Sequence, residues 1–206
     1  MSDSHEQIIR RLITQMSDIQ YIPLAQMPNI PLYMDQLTTF MDERLSGEKL
    51  SADDPILTKT MINNYTKNKL LPPPDKKKYS LEHLLLLNFI YYYKSFLSIG
   101  EIKTILAPFS QGGDTEILAG LYDEMTKYAA LHSAEYAADV EALYEMVLDE
   151  GDGNGSYQDT FRFISLLSAE VYLKKQLLER LVQHLEKDEA APAKPTKPPK
   201  KSKTVK

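Results

Sequence analysis

Apolar residues recur along this chain at intervals of three and four, and no segment alternates apolar with polar, which confines the fold to helices. Ile9, Leu12, Ile13 and Met16 form one such stripe within residues 6–19, and Leu37, Phe40, Met41 and Leu45 form the next, in a helix expected from about Tyr33 to Leu45. Between them, Pro23, Pro28 and Pro31 predict an extended lead-in, because proline lacks an amide hydrogen and pushes the preceding residue away from helix. Ser46-Gly47 ends the second helix, and a polar loop runs through Asp54-Pro55. Thr58 is placed to cap a helix from Lys59 to about Asn68, which Leu70-Leu71-Pro72-Pro73-Pro74 cannot continue. Asp75–Tyr79 has room only for a tight turn or a stunted hairpin. Ser80 caps a helix from Leu81 to about Phe96, with Glu82 near the positive end of its dipole. A short helix, Ile99 to Leu106, is expected to end before Pro108.

Gly112-Gly113 separates this block from a long helical pattern over residues 114–149, carried by Ile117, Leu121, Tyr122, Met125, Tyr128, Val140, Leu143, Tyr144 and Val147. Gly120 and the small residues near Ala129 and Ala130 leave a break within it open. Asp149–Ser156 reads as a flexible connector, because it lacks the spacing and terminal glutamate of an EF-hand calcium loop. The last helix is expected from about Gln158 to Glu186, with Phe161, Ile164, Leu167, Val171, Leu178, Leu181 and Leu185 in register. Lys174 is the one polar interruption, and its long stem can lie along an apolar surface. Residues 188–206, rich in Lys, Pro and Ala, read as a disordered tail. The chain thus divides into a helix and lead-in (1–31), a first helical domain (32–110), a second helical region (114–187) and the tail.

Several functions are excluded by what is missing. The absence of cysteine removes disulfides, thiolate metal sites and cysteine nucleophiles. The four histidines are scattered, and the single pair His132/Glu135 falls short of the two Glu-x-x-His units of a di-iron bundle. With no Gly-rich phosphate loop and no nucleophile motif, the chain is not expected to be an enzyme, and neither cofactor nor metal is expected. Met1–Gln7 lacks the basic and apolar parts of a signal peptide. The most apolar stretch, Leu84–Tyr93, has about half the length of a membrane span. A cytoplasmic location and no membrane partner are the expectation.

The net charge of −5 hides a strongly uneven distribution. Residues 58–79 hold six lysines (59, 67, 69, 76, 77 and 78) against Asp75 alone, and the tail from residue 190 holds six more lysines with no acid. A local positive face set in an acidic remainder suits nucleic-acid binding while restraining non-specific association. Within the basic segment, Met61, Ile62 and Tyr65 anchor the helix, and Lys59, Thr60, Asn63, Asn64 and Lys67 are left to project outward. That is major-groove chemistry, since asparagine can bond adenine bidentately and lysine contacts guanine or phosphate. Lys76, Lys77 and Lys78 stand just beyond, where they would meet the flanking backbone. Six lysines alone would favour a solvated face; it is their ordered context that turns the reading to DNA. Tyr91-Tyr92-Tyr93 look like a stacking platform, but three successive helical residues point in different directions and are assigned to core or interface.

Tyr65, Leu70-Leu71-Pro72, a basic turn, Tyr79-Ser80, the apolar Leu84–Ile90 helix and Ser98-Ile99-Gly100-Glu101-Ile102-Lys103 occur in that order. This order resembles the DNA-binding module of MerR-type regulators. Leu32-Tyr33-Met34-Asp35-Gln36, Leu57–Leu71 and the Tyr79–Leu106 block resemble more closely the family catalogued as domain of unknown function 1836, viewed as MerR-like and regulatory. The resemblance covers roughly residues 30–110. It implies that Thr58 starts a recognition helix, that Lys59, Thr60 and Asn63 face the groove, that Tyr65 takes an aromatic seat able to pack or bond phosphate, and that Lys76–Lys78 form a wing. The chain departs from the MerR pattern in a longer loop over residues 46–57, a shorter wing, a larger C-terminal helical half and the lack of metal-binding cysteines.

The expectation is therefore an all-α protein with a MerR-like helix-turn-helix and short wing, followed by a C-terminal helical bundle. Its expected function is that of a sequence-specific transcriptional regulator, a repressor, binding double-stranded DNA as a homodimer; no small-molecule effector is assigned. Dimerisation follows from the few base pairs one short helix can read, and residues 158–186 offer the surface. The alternative is a helical protein–protein interaction module that keeps the scaffold without DNA binding.

Overall fold

The computed structural model describes residues 4–16, 21–48, 55–151 and 155–190, and within them the chain is all-α apart from one minimal ladder. The helices are α1 (His5–Met16), α2 (Met34–Arg44), α3 (Lys59–Lys67), α4 (Leu81–Tyr93), α5 (Ile99–Ser110), α6 (Thr115–Glu150) and α7 (Tyr157–Ala190). Two-residue strands β1 (Leu32–Tyr33) and β2 (Lys78–Tyr79) pair antiparallel, Leu32 with Tyr79 and Tyr33 with Lys78. The predicted end of the first helix (17–19), much of the polar loop (49–54), part of the connector (152–154) and the tail (191–206) lie outside the described residues.

Local chemistry accounts for the helix starts. The Thr58 hydroxyl accepts the Met61 amide at 3.1 Å. Ser98 and Glu101 exchange reciprocal bonds of 3.3 and 2.8 Å, a capping box. The Asp114 carboxylate accepts the Glu116 amide at 2.8 Å. The lead-in stays non-helical around its prolines, save a 3₁₀ turn at Leu24–Gln26.

Three expectations need correction. α4 ends at Tyr93, three residues before Phe96. α5 runs through Pro108 to Ser110 rather than stopping at Leu106; the missing amide hydrogen falls in the last turn, where one lost bond does not unravel the helix. The Phe109 carbonyl then accepts the amides of Gly112 and Gly113 at 3.3 Å each. Gly113 sits so tightly there that a Cβ would lie 2.2 Å from the Pro108 carbonyl oxygen. Finally, α6 has no break, and its inward face carries Leu118 and Tyr122 while Ile117, Leu121 and Tyr128 stand exposed.

The larger of two cores is built around α4, in which every residue from His83 to Ile90 is buried. Leu37, Met41 and Leu45 of α2, Ile62 and Tyr65 of α3, Ile102 and Leu106 of α5, and Leu118 and Tyr122 of α6 surround it, together with Ile22 and Met27 from the lead-in. Such all-round burial explains why α4 is apolar on every side. One polar group is enclosed with it: Asn88 donates to the Leu84 carbonyl at 2.8 Å, but its own carbonyl oxygen has no partner. The Tyr91–Tyr93 rings are half-buried and pack, Tyr91 against Tyr92 and Tyr93 against Phe89.

The smaller core joins Ile9 and Ile13 of α1 to Tyr144, Val147 and Leu148 of α6 and Phe163 of α7. Arg10 reinforces it, bridging Glu6 at 3.0 Å and also Glu141 and Glu145 of α6. α6, with 36 residues, is therefore a shared strut, its first turns in one core and its last in the other.

Candidate nucleic-acid interface

α3 sorts its side chains as its spacing predicts. Ile62 is fully buried, Tyr65 is buried and Met61 half-buried, whereas Lys59, Thr60, Asn63, Asn64 and Lys67 are exposed. Thr58 is half-buried and serves as the cap. Tyr65 packs into the core, and burial raises its phenol above the ordinary range. Among the described residues, the side-chain amides of Asn63 and Asn64 have no hydrogen-bond partner, while Asn68 turns back to the Asn64 carbonyl at 2.8 Å.

The end of α3 aims the chain that follows. The Leu70 amide bonds the Tyr65 carbonyl at 2.9 Å and the Lys69 amide bonds that of Thr66 at 3.1 Å, with Lys69 left-handed at φ 61°. This is a Schellman ending, and buried Leu70 and Tyr65 supply the apolar contact that accompanies it. Ser110 of α5 holds the Lys69 carbonyl at 3.2 Å.

His83 anchors the next stretch. Its Nδ1 accepts the Ser80 amide at 3.1 Å and lies 2.8 Å from the Ser80 hydroxyl, while Nε2 donates to the Pro72 carbonyl at 3.2 Å. Accepting at one nitrogen and donating at the other requires the neutral ring, and burial lowers its pKa to match. The ring also meets Tyr79 edge-on at 5.3 Å.

Lys76–Lys78 then occupy a tight turn closed by the Lys78 amide on the Asp75 carbonyl at 2.8 Å. Lys76 and Lys77, at φ 46° and 67°, hold the two left-handed positions that hairpin turns of this kind normally give to Asn and Gly. With Lys69, they are the non-glycine residues at positive φ among those described. All three turn lysines are exposed, and the Lys78 ammonium rests 5.2 Å from the centroid of the Tyr33 ring.

The start of α2 joins helix and turn. Lys59 pairs with Asp35, two residues beyond the Tyr33 that carries Lys78. The exposed face of α3 and the lysine turn thus flank one short stretch of chain and form a single basic surface. Asp35, Tyr33 and His83 have no place in the sequence reading of this surface, and Lys69 enters it only as one of the six lysines of residues 58–79. Only Lys69, just past the last helical residue, and His83, three residues after the Ser80 cap, stand at positions a local pattern could have marked.

The second helical region presents a different surface. Ile164, Val171, Leu178, Leu181 and Leu185, expected in register on α7, are exposed, and Leu167 is half-buried. Lys174 extends over the Tyr136 ring of α6, 5.8 Å from its centroid. Near the start of this stripe, α1, α6 and α7 leave an apolar groove of about 520 Å³, lined by residues including Leu12, Val140, Phe163 and Ile164. Among the described residues no cluster of His, Asp or Glu is fit to hold a metal, and no helix is long and apolar enough to cross a membrane.

A family model described as domain of unknown function (DUF1836) matches residues 22–125. Those limits fall close to Ile22 and Tyr122, which lie at the two ends of the larger core in sequence. No curated protein and no solved structure matches the chain.

Proposed function

The chain belongs to the DUF1836 family, and from the surface that α3 and the lysine turn make within the matched region we propose that it is a sequence-specific regulator that binds double-stranded DNA. In this reading α2 and α3 act as a MerR-like helix-turn-helix, with α3 in the major groove and Lys76–Lys78 as a short wing on the adjacent backbone. The observation that carries it is the amide face of α3, unpaired among the described residues, beside lysines kept in left-handed conformations. Lysine at such positions costs stability, and phosphate contact gives that cost a purpose. Two copies joined through the exposed stripe of α7 would read two half-sites, and occupancy of a promoter is sufficient for repression.

The same stripe supports a second reading, a protein–protein interaction module without DNA binding. Fluorescence anisotropy with the protein's own upstream DNA, scrambled competitor and a salt series separates the two. Specific, salt-sensitive binding that is lost in a Lys59→Ala/Asn63→Ala variant supports the regulator. Affinity that is absent, or the same for scrambled DNA, rejects it.

A further inference from the structure

Resting on the DNA-binding reading, we propose that the half-site under α3 is read as A·T base pairs, with the amides of Asn63 and Asn64 on adenine and the methyl of Thr60 on thymine.

The groups available for direct readout are few. Opposite the buried Ile62 and Tyr65, α3 presents Thr60, Asn63, Asn64 and Lys67, together with Lys59. Both amides are exposed and unpaired among the described residues, so each offers a donor and an acceptor from one planar group. That fork matches adenine, which shows N7 and the N6 amino group side by side in the major groove.

The readers of G·C are missing or occupied. No arginine lies between Arg44 and Arg162, which removes the guanidinium fork from this part of the chain and leaves lysine as its reader of guanine. α3 has no acidic residue to accept from the cytosine amino group, and Asp35 nearby is paired with Lys59. That pairing also competes with guanine for the Lys59 ammonium. Lys67 is in the last turn of α3, whereas base contacts in such docking come from the N-terminal part of the helix, so Lys67 is placed for phosphate. Thr60, one residue into the helix, has a methyl that can meet the thymine methyl. The chemistry left facing the bases is that of A·T pairs.

The test is selection of duplexes from a randomised library by the full-length protein at physiological salt, followed by titration of the selected sequence and of a copy with its core changed to G·C. Enriched sequences should share an A·T core. Asn63→Ala and Asn64→Ala replace exposed residues with a better helix former, so folding is retained. The pair should cut preference for the A·T over the G·C duplex by on the order of tenfold or more. Lys76→Gln/Lys77→Gln should instead weaken both duplexes alike. A G·C core, or a preference that survives loss of both amides, overturns the inference and leaves DNA binding standing. Failure to enrich any sequence overturns the DNA-binding reading and this inference with it.

Discussion

Lys59, the first residue of α3, is paired with Asp35 in the first turn of α2, so one of the exposed cations of the basic surface is already partly neutralised by the protein. Both side chains are largely exposed, and a pair of this kind contributes about 0–1 kcal/mol to stability. Its larger effect is on the field above α3, since an unpaired Lys59 would add one full charge there.

Asp35→Asn is therefore expected to leave thermal stability nearly unchanged while tightening binding to any duplex roughly threefold at low salt and steepening the salt dependence by about one ion. Anisotropy titrations at several salt concentrations measure both. Weaker binding by the variant would mean that Asp35 positions Lys59 rather than restrains it.

The lysine turn predicts opposite signs for stability and binding. Replacing Lys76-Lys77 by Asn-Gly places residues suited to a left-handed turn where the backbone requires them, and should raise stability by about 1 kcal/mol. On the DNA-binding reading the same change removes two phosphate contacts and should lower the salt slope by about two. Lys69→Gly, at the end of α3, should stabilise by a similar amount. Urea unfolding reads the first effect and a salt series the second. A variant that loses both stability and binding would show the lysines to be structural.

His83 makes stability depend on pH. Its folded-state pKa is lowered by burial, so the unfolded chain takes up the proton first as the medium is acidified. The stability linked to this ring is fully present above its unfolded pKa of about 6.5 and is lost as pH falls through the lower, folded value. The urea midpoint should drop over that window, and His83→Gln should flatten the profile. Glutamine can still accept the Ser80 amide, but losing the bond to the Pro72 carbonyl should cost about 1 kcal/mol at neutral pH. An unchanged profile in the variant would assign the titration elsewhere.

How far the sequence could be read depended on distance along the chain. Thr58, Ser80 and Ser98 act within three residues, and the faces of α2 and α3 follow from a single apolar stripe each, so these were legible. α6 was legible in its extent and in Tyr122, Tyr144 and Val147, but the face of its first turns was not, because Ile117, Leu121 and Tyr128 make as good a stripe as Leu118 and Tyr122. Periodicity cannot choose between two apolar faces; packing against α4 does. Asp35 and Tyr33 were missed because their lysine partners arrive from distant segments.

Tyr122 tests the packing that made that choice. It is fully buried, and its hydroxyl donates to the Ile22 carbonyl at 2.8 Å, tying α6 to the lead-in. Tyr122→Phe keeps the ring against Phe89 but strands a buried carbonyl, and should cost about 1–3 kcal/mol. Leu121→Ser, one residue away on the exposed face, should cost less than about 1 kcal/mol. Equal losses would place Leu121 in an interface.

Ile164, Leu167, Val171, Lys174, Leu178, Leu181 and Leu185 follow one another at alternating steps of three and four, which is the repeat of a coiled-coil seam. Most of these apolar side chains are exposed, with Val171 at 62% and Leu181 at 52%. A soluble chain rarely leaves so long an apolar stripe uncovered, and a second α7 carries the matching repeat. Sedimentation at micromolar concentration should find a dimer. Val171→Asp/Leu181→Asp should convert it to a monomer with helix content intact, because neither residue belongs to a core cluster. The monomer should lose affinity for a two-half-site operator by at least about tenfold, while a single half-site is bound as before. A wild-type monomer, or a variant that remains dimeric, rules out α7 as the joining surface.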